Sequence, residues 1–126
     1  MSTETVSTDL APAAIGPYSQ AIVANGFVFT AGQIGLDPAT GALVPGGVVP
    51  ETKRALQNLL AVLEAAGSGP DRIVKTTVFL ADLGDYADVN ALYAEAVASP
   101  FPARSAVQVA ALPKGARVEI EAIAVV

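Results

Sequence analysis

Residues 51–80 read ETKRALQNLLAVLEAAGSGPDRIVKTTVFL, and the hydrophobic period changes once within this stretch. In its first part, leucines recur with the i, i+3, i+4, i+7 spacing of one helix face, at positions 56, 59, 60 and 63. Gly67 is a natural helix stop. The part from 73 to 80 is rich in β-branched and aromatic residues, which predicts a strand. Strand alternation would place on one face Val74, Thr76, Val78 and Leu80.

The segment upstream predicts a β-hairpin. Two short apolar runs, 19–24 and 27–31, flank the dipeptide Asn25-Gly26. Both residues of this pair tolerate a positive φ, which the tightest hairpin turns require. We therefore expect two antiparallel strands ahead of the first helix.

The segment downstream completes an α+β pattern. The helical spacing returns after Asp85, which can cap a second helix, and strand-like runs follow at 103–109 and 117–125. The predicted order is β-β-(β)-α-β-α-β-β, with a weaker strand before the first helix. Such an order fits two helices packed on one face of a mixed sheet.

Length and composition indicate one globular domain spanning residues 1–126. The chain is 52% hydrophobic and 15% charged, enough apolar material for a core. Residues 1–11 are polar and are predicted to be a flexible lead-in. No apolar stretch approaches the roughly 20 residues of a membrane span, and the N-terminus lacks a signal-peptide pattern. We therefore expect a cytoplasmic protein without a membrane partner.

Charge and missing residue types exclude several functions. The net charge is −5, and the seven basic residues form no run or stripe, so nucleic acid is not an expected partner. The chain has no His and no Cys, which excludes Ser-His and Cys-His nucleophilic pairs and the usual zinc ligands. Any catalysis must use other side chains or the backbone.

The last predicted strand carries two carboxylates on one face. Alternation groups Glu119 and Glu121 with Ile123 and Val125, opposite an apolar face. If the acidic face is partly buried, the carboxyl pKa rises and the group becomes a usable acid or base. Exposure of both groups near the strand end is the alternative, and spacing alone leaves both open.

Four further positions have a functional and a structural interpretation. Arg104 is the one charge in a run of small and apolar residues, and it suits either a carboxylate clamp or an ordinary ion pair. Tyr18 could be a ligand contact or a partly buried core residue. Gly32 ends a strand where a ligand could approach the backbone, or where a bulge forms. Asn90 lies mid-helix, where simple exposure is the usual explanation.

Seven segments together resemble the RidA (YjgF, L-PSP) family over nearly the whole chain. They are APAAIGPYSQ at 11–20, TAGQI at 30–34, IVKTTVFL at 73–80, DVNALY at 88–93, FPARS at 101–105, ALPK at 111–114 and VEIEAIA at 118–124. The resemblance implies a chorismate-mutase-like α+β fold. It also implies a homotrimer whose sheets pack into a central barrel, with three clefts between subunits.

The resemblance further implies an activity and its residues. Family members hydrolyse reactive 2-imino and 2-enamino acids, such as 2-iminopropanoate and 2-aminoacrylate, to 2-oxo acids and ammonia. Arg104 matches the residue that holds the substrate carboxylate, and Glu119 matches the residue that positions and activates water. The other matching substrate-binding positions are Tyr18, Ala31, Gly32, Asn90 and Ala106. No metal or cofactor is implied, because the imine is intrinsically reactive.

Two positions depart from the common family pattern. Many members carry Ser where this chain has Ala31 and Cys where it has Ala106, so the cleft here is less polar. One hypothesis is that it accepts larger or more apolar imino acids. An alternative function is non-catalytic binding of 2-oxo acids by a regulatory trimer of the same fold. Ribonuclease activity is disfavoured by the net charge and the lack of His.

Overall fold

The computed structural model describes residues 2–126, and its six strands form one mixed sheet with two helices on one face. The elements are β1 (Thr3–Val6), β2 (Ala21–Ala24), β3 (Phe27–Thr30), α1 (Val48–Ala65), β4 (Ile73–Leu80), α2 (Tyr86–Ala96), β5 (Ala103–Gln108) and β6 (Val118–Val125). The strand order is β1-β2-β3-β6-β4-β5. Within residues 2–126, only β4 and β5 pair in parallel. The expected α+β fold with a mixed sheet is confirmed.

The predicted hairpin is confirmed as β2 and β3. Asn25 and Gly26 both adopt positive φ angles, 54° and 83°, as a two-residue turn of type I′ requires. The predicted weak strand between this hairpin and α1 was wrong. Residues of that region make only isolated bridges, Gln33 with Ile120 and Leu36 with Leu43.

Helix α1 ends where its sequence predicts, whereas the predicted N-cap residue of α2 makes no capping bond. Gly67, with φ of 85°, and Ser68 close a Schellman motif after α1, since their N–H groups donate to the carbonyls of Glu64 and Leu63. Asp85 occupies the N-cap position of α2, but its side chain makes no capping bond. Its carboxylate pairs instead with Arg117, at 2.8 Å.

Across residues 2–126, no helix combines the length and apolar composition needed to cross a membrane.

One predicted face assignment in β4 was wrong. A bulge between Ile73 and Lys75 shifts the alternation at the start of the strand. Ile73 is therefore buried, while Val74 is 42% exposed. Beyond the bulge, Thr76, Val78 and Leu80 face the core as expected.

The N-terminal region is structured and does not match the flexible lead-in predicted for residues 1–11. Residues 3–6 form β1, which pairs antiparallel with β2, and Ala11 is buried. Met1 lies outside the described residues. Periodicity could not predict β1, because its polar residues face solvent and carry no hydrophobic pattern.

The sheet has one covered and one open face. On β6, the residues that face the helices are almost fully buried: Val118, Ile120, Ala122 and Ala124. The alternate residues lie on the other face, over which neither helix packs. Phe27 and Phe29 of β3 lie on this open face beside Val125 and Ile123 of β6, and Phe29 is 44% exposed. The chain therefore presents an apolar sheet surface to its surroundings.

Candidate active site

The candidate site residues fall into two separate groups. Tyr18, Ala31, Gly32 and Glu119 line a cavity of about 740 Å³, which we call the Glu119 cavity. Asn90 and Arg104 line a second cavity of about 370 Å³, which we call the Arg104 cavity. Ala106 lines neither of these cavities and packs beside the hydrophobic core.

Strand register explains the separation. Glu119 pairs with Phe79 of β4, whereas Arg104 pairs with Thr76 of the same strand. Paired residues point to the same face, and positions 76 and 79 differ by an odd number, so they point to opposite faces. Thr76 is buried towards the helices. Arg104 therefore points towards the helix side of the sheet and Glu119 towards the open side.

Glu119 is packed directly against Gly32. A Cβ atom added at position 32 would lie 2.7 Å from Glu119 Cδ and 2.8 Å from Cγ. Backbone bonds between Gln33 and Ile120, 2.9 and 3.0 Å long, hold the two segments together. The group that approaches Gly32 in this structure is the chain's own carboxylate, and contact of a ligand with this backbone stays a prediction. Position 32 must lack a side chain for Glu119 to keep this position.

The environment of Glu119 favours proton transfer. Burial of its half-buried carboxyl raises its pKa, and the negative charge of Glu121 raises it further. The same cavity is lined by Lys114, whose ammonium donates to the Gly41 carbonyl at 3.0 Å. Glu119 is therefore not a freely solvated carboxylate at the strand end. A raised pKa brings its titration closer to neutral pH, where it can both accept and donate a proton.

Replacing Glu121 by glutamine should lower the pKa of Glu119. The substitution removes the neighbouring negative charge and leaves the burial unchanged, so only the smaller of the two causes disappears. In ¹³C NMR titrations, the wild-type Glu119 carboxyl should titrate above the ordinary value of about 4.3. The Glu119 midpoint in Glu121→Gln should lie between the wild-type midpoint and that ordinary value. Glu4→Gln, at an exposed position on β1, is the control and should leave the midpoint unchanged. A midpoint that is the same in Glu121→Gln and wild type would contradict the electrostatic coupling.

Arg104 is held by neutral groups. Its Nη1 donates to Asn90 Oδ1 at 2.8 Å and its Nη2 donates to the Tyr86 hydroxyl at 2.6 Å. Its guanidinium carbon lies 4.8 Å from the centroid of the Tyr93 ring. Within residues 2–126, the one ion pair is Arg117 with Asp85, so Arg104 has no carboxylate partner. The guanidinium keeps unused N–H donors and its full charge for an anion.

Exposure and hydrogen bonds exclude the structural interpretations of Tyr18 and Asn90, and the structure adds two residues beside Arg104. Tyr18 is 56% exposed, so the interpretation as a core residue was wrong. Asn90 is half-buried and engaged with Arg104, so simple exposure does not describe it. Sequence reasoning did not single out Tyr86 or Tyr93 as site residues. The i, i+4, i+7 spacing of positions 86, 90 and 93 was the signal that could have grouped them.

Comparison with known proteins gives consistent matches along the chain. The family described as Endoribonuclease L-PSP matches residues 8–126. A protein of Capra hircus named 2-iminobutanoate/2-iminopropanoate deaminase is 58% identical over 120 residues, which cover 95% of this chain and 88% of the goat protein.

Solved structures match equally well. The YjgF gene product of E. coli has a TM-score of 0.90 and 48% identity, covering 97% of this chain and 98% of that one. E. coli TdcF, solved with bound serine, has a TM-score of 0.91 and 42% identity, covering 98% of both chains. At these identities, the likeness extends beyond the fold to sequence.

Proposed function

Because this chain belongs to the L-PSP family and is an imine deaminase, we propose that it hydrolyses small 2-imino and 2-enamino acids to 2-oxo acids and ammonia. We assign the substrate carboxylate to Arg104 and the attacking water to Glu119. The observation that carries this assignment is that the chain has both groups the reaction needs. The Arg104 guanidinium has no ionic partner within residues 2–126, and the half-buried Glu119 carboxyl has a raised pKa.

Arg104 would supply binding and orientation. Two of its five N–H groups are engaged by Asn90 and Tyr86, which leaves three for the two oxygens of a carboxylate. The contacts with Asn90, Tyr86 and the Tyr93 ring restrict the guanidinium before substrate arrives. A pre-positioned clamp of this kind holds the C=N carbon in a fixed place for attack.

Glu119 would supply both proton transfers. As a carboxylate it accepts a proton from water while the water oxygen bonds to the C=N carbon, and it passes this proton to the imine nitrogen to give the neutral carbinolamine. Glu119 then accepts the hydroxyl proton as the C=O bond forms and gives it to the nitrogen, which leaves as ammonia when the C–N bond breaks. The carboxylate is regenerated, so the enzyme ends as it began. A pKa raised towards neutral suits a group that must perform both transfers.

We further propose that each site is shared between two copies of the chain in a homotrimer. Arg104 and Glu119 point to opposite faces of one sheet, so one small substrate cannot contact both within a single chain. The open apolar face around Phe27 and Phe29 supports association, since an exposed surface of this kind is typical of an interface.

We expect the enzyme to accept imines with large apolar side chains. The walls of the Glu119 cavity are mainly apolar, with contributions from Ile15, Ile34, Leu36, Pro38 and Pro113. Burial of each added methylene contributes about 0.8 kcal/mol, so imines from leucine and phenylalanine should match or exceed the alanine-derived imine in kcat/KM. An amino-acid oxidase can generate each imine for the comparison. Strict preference for the alanine-derived imine would contradict this selectivity.

The function is tested by competition with semicarbazide, which traps imines chemically. Wild-type protein should divert the imine to 2-oxo acid and ammonia in proportion to its concentration. The second candidate function is reversible binding of 2-oxo acids, favoured because Arg104 can hold a carboxylate without help from Glu119. That function predicts a raised unfolding temperature with a 2-oxo acid and no ammonia release above buffer.

A further inference from the structure

Residues 7–18 form one wall of the Glu119 cavity, although they contain neither helix nor strand. Four of them line the cavity: Pro12, Ala13, Ile15 and Tyr18. The Ile15 side chain is 84% exposed, so few contacts of its own restrain it. A substrate side chain that enters the cavity meets this wall, and the position of the wall sets the space available.

One side chain makes the hydrogen bonds between this wall and the rest of the fold, and Ala11 adds buried apolar packing. Within residues 2–126, every hydrogen bond that joins residues 7–18 to other parts of the chain is made by the Gln20 side-chain amide. Gln20 Oε1 accepts from the Thr8 N–H at 2.7 Å. Its Nε2 donates towards the carbonyls of Thr8, Ala11 and Pro12, at 3.1, 3.4 and 2.8 Å.

Gln20 also connects the wall with the opposite side of the cavity. It is 3% exposed, and its own carbonyl accepts the Ala31 N–H at 2.9 Å. Gln20 itself lines the cavity beside Ala31 and Gly32. Gln20 therefore joins two walls that face the same space, one through its side-chain amide and the other through its backbone carbonyl.

We propose that Gln20 is a positioning residue that holds residues 7–18 in place and thereby determines which imino-acid side chains the Glu119 cavity accepts. The inference rests on the proposed function, since selectivity is defined by turnover. Gln20 acts through the wall and not on the reacting atoms. Its loss should therefore change the preference among substrates more than the rate for the smallest one.

The variant Gln20→Glu tests the amide bonds and can be reversed by pH. The new carboxyl can still accept from Thr8, but as a carboxylate its second oxygen would face three carbonyl oxygens and repel them. When protonated, it can donate again to Pro12. Repulsion at high pH should displace the wall, and protonation at low pH should restore it.

The measured quantity is the ratio of kcat/KM for the leucine-derived imine to that for the alanine-derived imine, obtained by semicarbazide competition. At about pH 8, we expect Gln20→Glu to change this ratio at least about fivefold, mainly through KM for the leucine-derived imine. At about pH 5.5, the ratio should return to within about twofold of wild type. Titration of Glu119 changes kcat/KM for both substrates in both proteins, so it cancels from the ratio.

Gln57→Glu is the matched control, since Gln57 is exposed on α1 and the chemical change is the same. It should leave the ratio unchanged at both pH values. Hydrogen exchange gives a second readout: amides of residues 7–18 should exchange faster in Gln20→Glu than in wild type at high pH and equally at low pH.

The outcomes separate this inference from the proposed function. A wild-type ratio in Gln20→Glu at both pH values overturns the inference while the deaminase function stands. An altered ratio that does not respond to pH also overturns it, because it shows that the hydrogen bonds are not the cause. If wild type releases no ammonia, the proposed function fails, and unchanged exchange at residues 7–18 would then overturn the role of Gln20 as well.

Discussion

Replacing Arg104 by alanine should lower kcat/KM for the alanine-derived imine by about 10² to 10³-fold. The guanidinium is the one charged group lining the Arg104 cavity, and its side chain is already fixed by Asn90 and Tyr86. Truncating one partner of a hydrogen-bonded charge pair typically costs 2–5 kcal/mol, and each 1.36 kcal/mol is about tenfold in rate. Most of the loss should appear in KM, with a further loss in kcat because the C=N carbon is no longer held in place.

Two other variants make this result specific. Arg104→Lys keeps the charge but cannot form the bidentate contact, so its activity should lie between wild type and Arg104→Ala. Arg72→Ala removes an exposed arginine beside β4 and should leave kcat/KM within twofold of wild type. Semicarbazide competition measures kcat/KM for all three variants. Activity of Arg104→Ala within threefold of wild type would rule out the clamp.

Replacing Glu119 by glutamine should lower kcat by about 10² to 10⁴-fold, the usual contribution of a positioned acid–base group. The glutamine side chain fits beside Gly32 as the glutamate does, so the fold and the affinity for a 2-oxo acid should change little. Thermal unfolding and isothermal titration with the 2-oxo acid check those two properties. A variant that keeps near-normal kcat would remove Glu119 from the chemistry.

Mixing the two inactive variants should restore activity if each site is shared. In a cyclic trimer, one copy supplies Arg104 and the next supplies Glu119, so any mixed trimer contains one intact site out of three. Random assembly of equal amounts makes three quarters of the trimers mixed, so about a quarter of wild-type activity should return. The two variants should be co-expressed with different tags, and each variant expressed alone is the control. Failure to recover activity in isolated mixed oligomers would rule out a site that joins Arg104 of one copy to Glu119 of another.

Local signals in the sequence were enough for most elements of the fold. The leucine spacing before Gly67 and the Asn25-Gly26 pair act over a few residues, and both α1 and the hairpin formed as expected. The bulge in β4 was not predictable, because it depends on how Ile73 and Lys75 meet β6 across the sheet. The strand at residues 3–6 likewise derives its order from pairing with β2 and not from its own composition.

The candidate site residues were proposed from the sequence one by one, whereas their arrangement between subunits was implied only by the family resemblance. The unusual polarity of Arg104 and Glu119 within apolar strands was visible in the sequence. Their opposite orientation follows from the register of β5 and β6 on β4, which are non-local pairings. The role of Gln20 depends on a chain reversal that brings Thr8 and Pro12 back to its side-chain amide. Hydrophobic periodicity does not predict a contact of this kind.

The contact between Gly32 and Glu119 also restricts how the family can diverge. A methyl group at position 32 would occupy the space of the carboxylate side chain, so the two positions cannot drift independently. A side chain at position 32 would displace or redirect the side chain at 119, so a change at one position acts directly on the other.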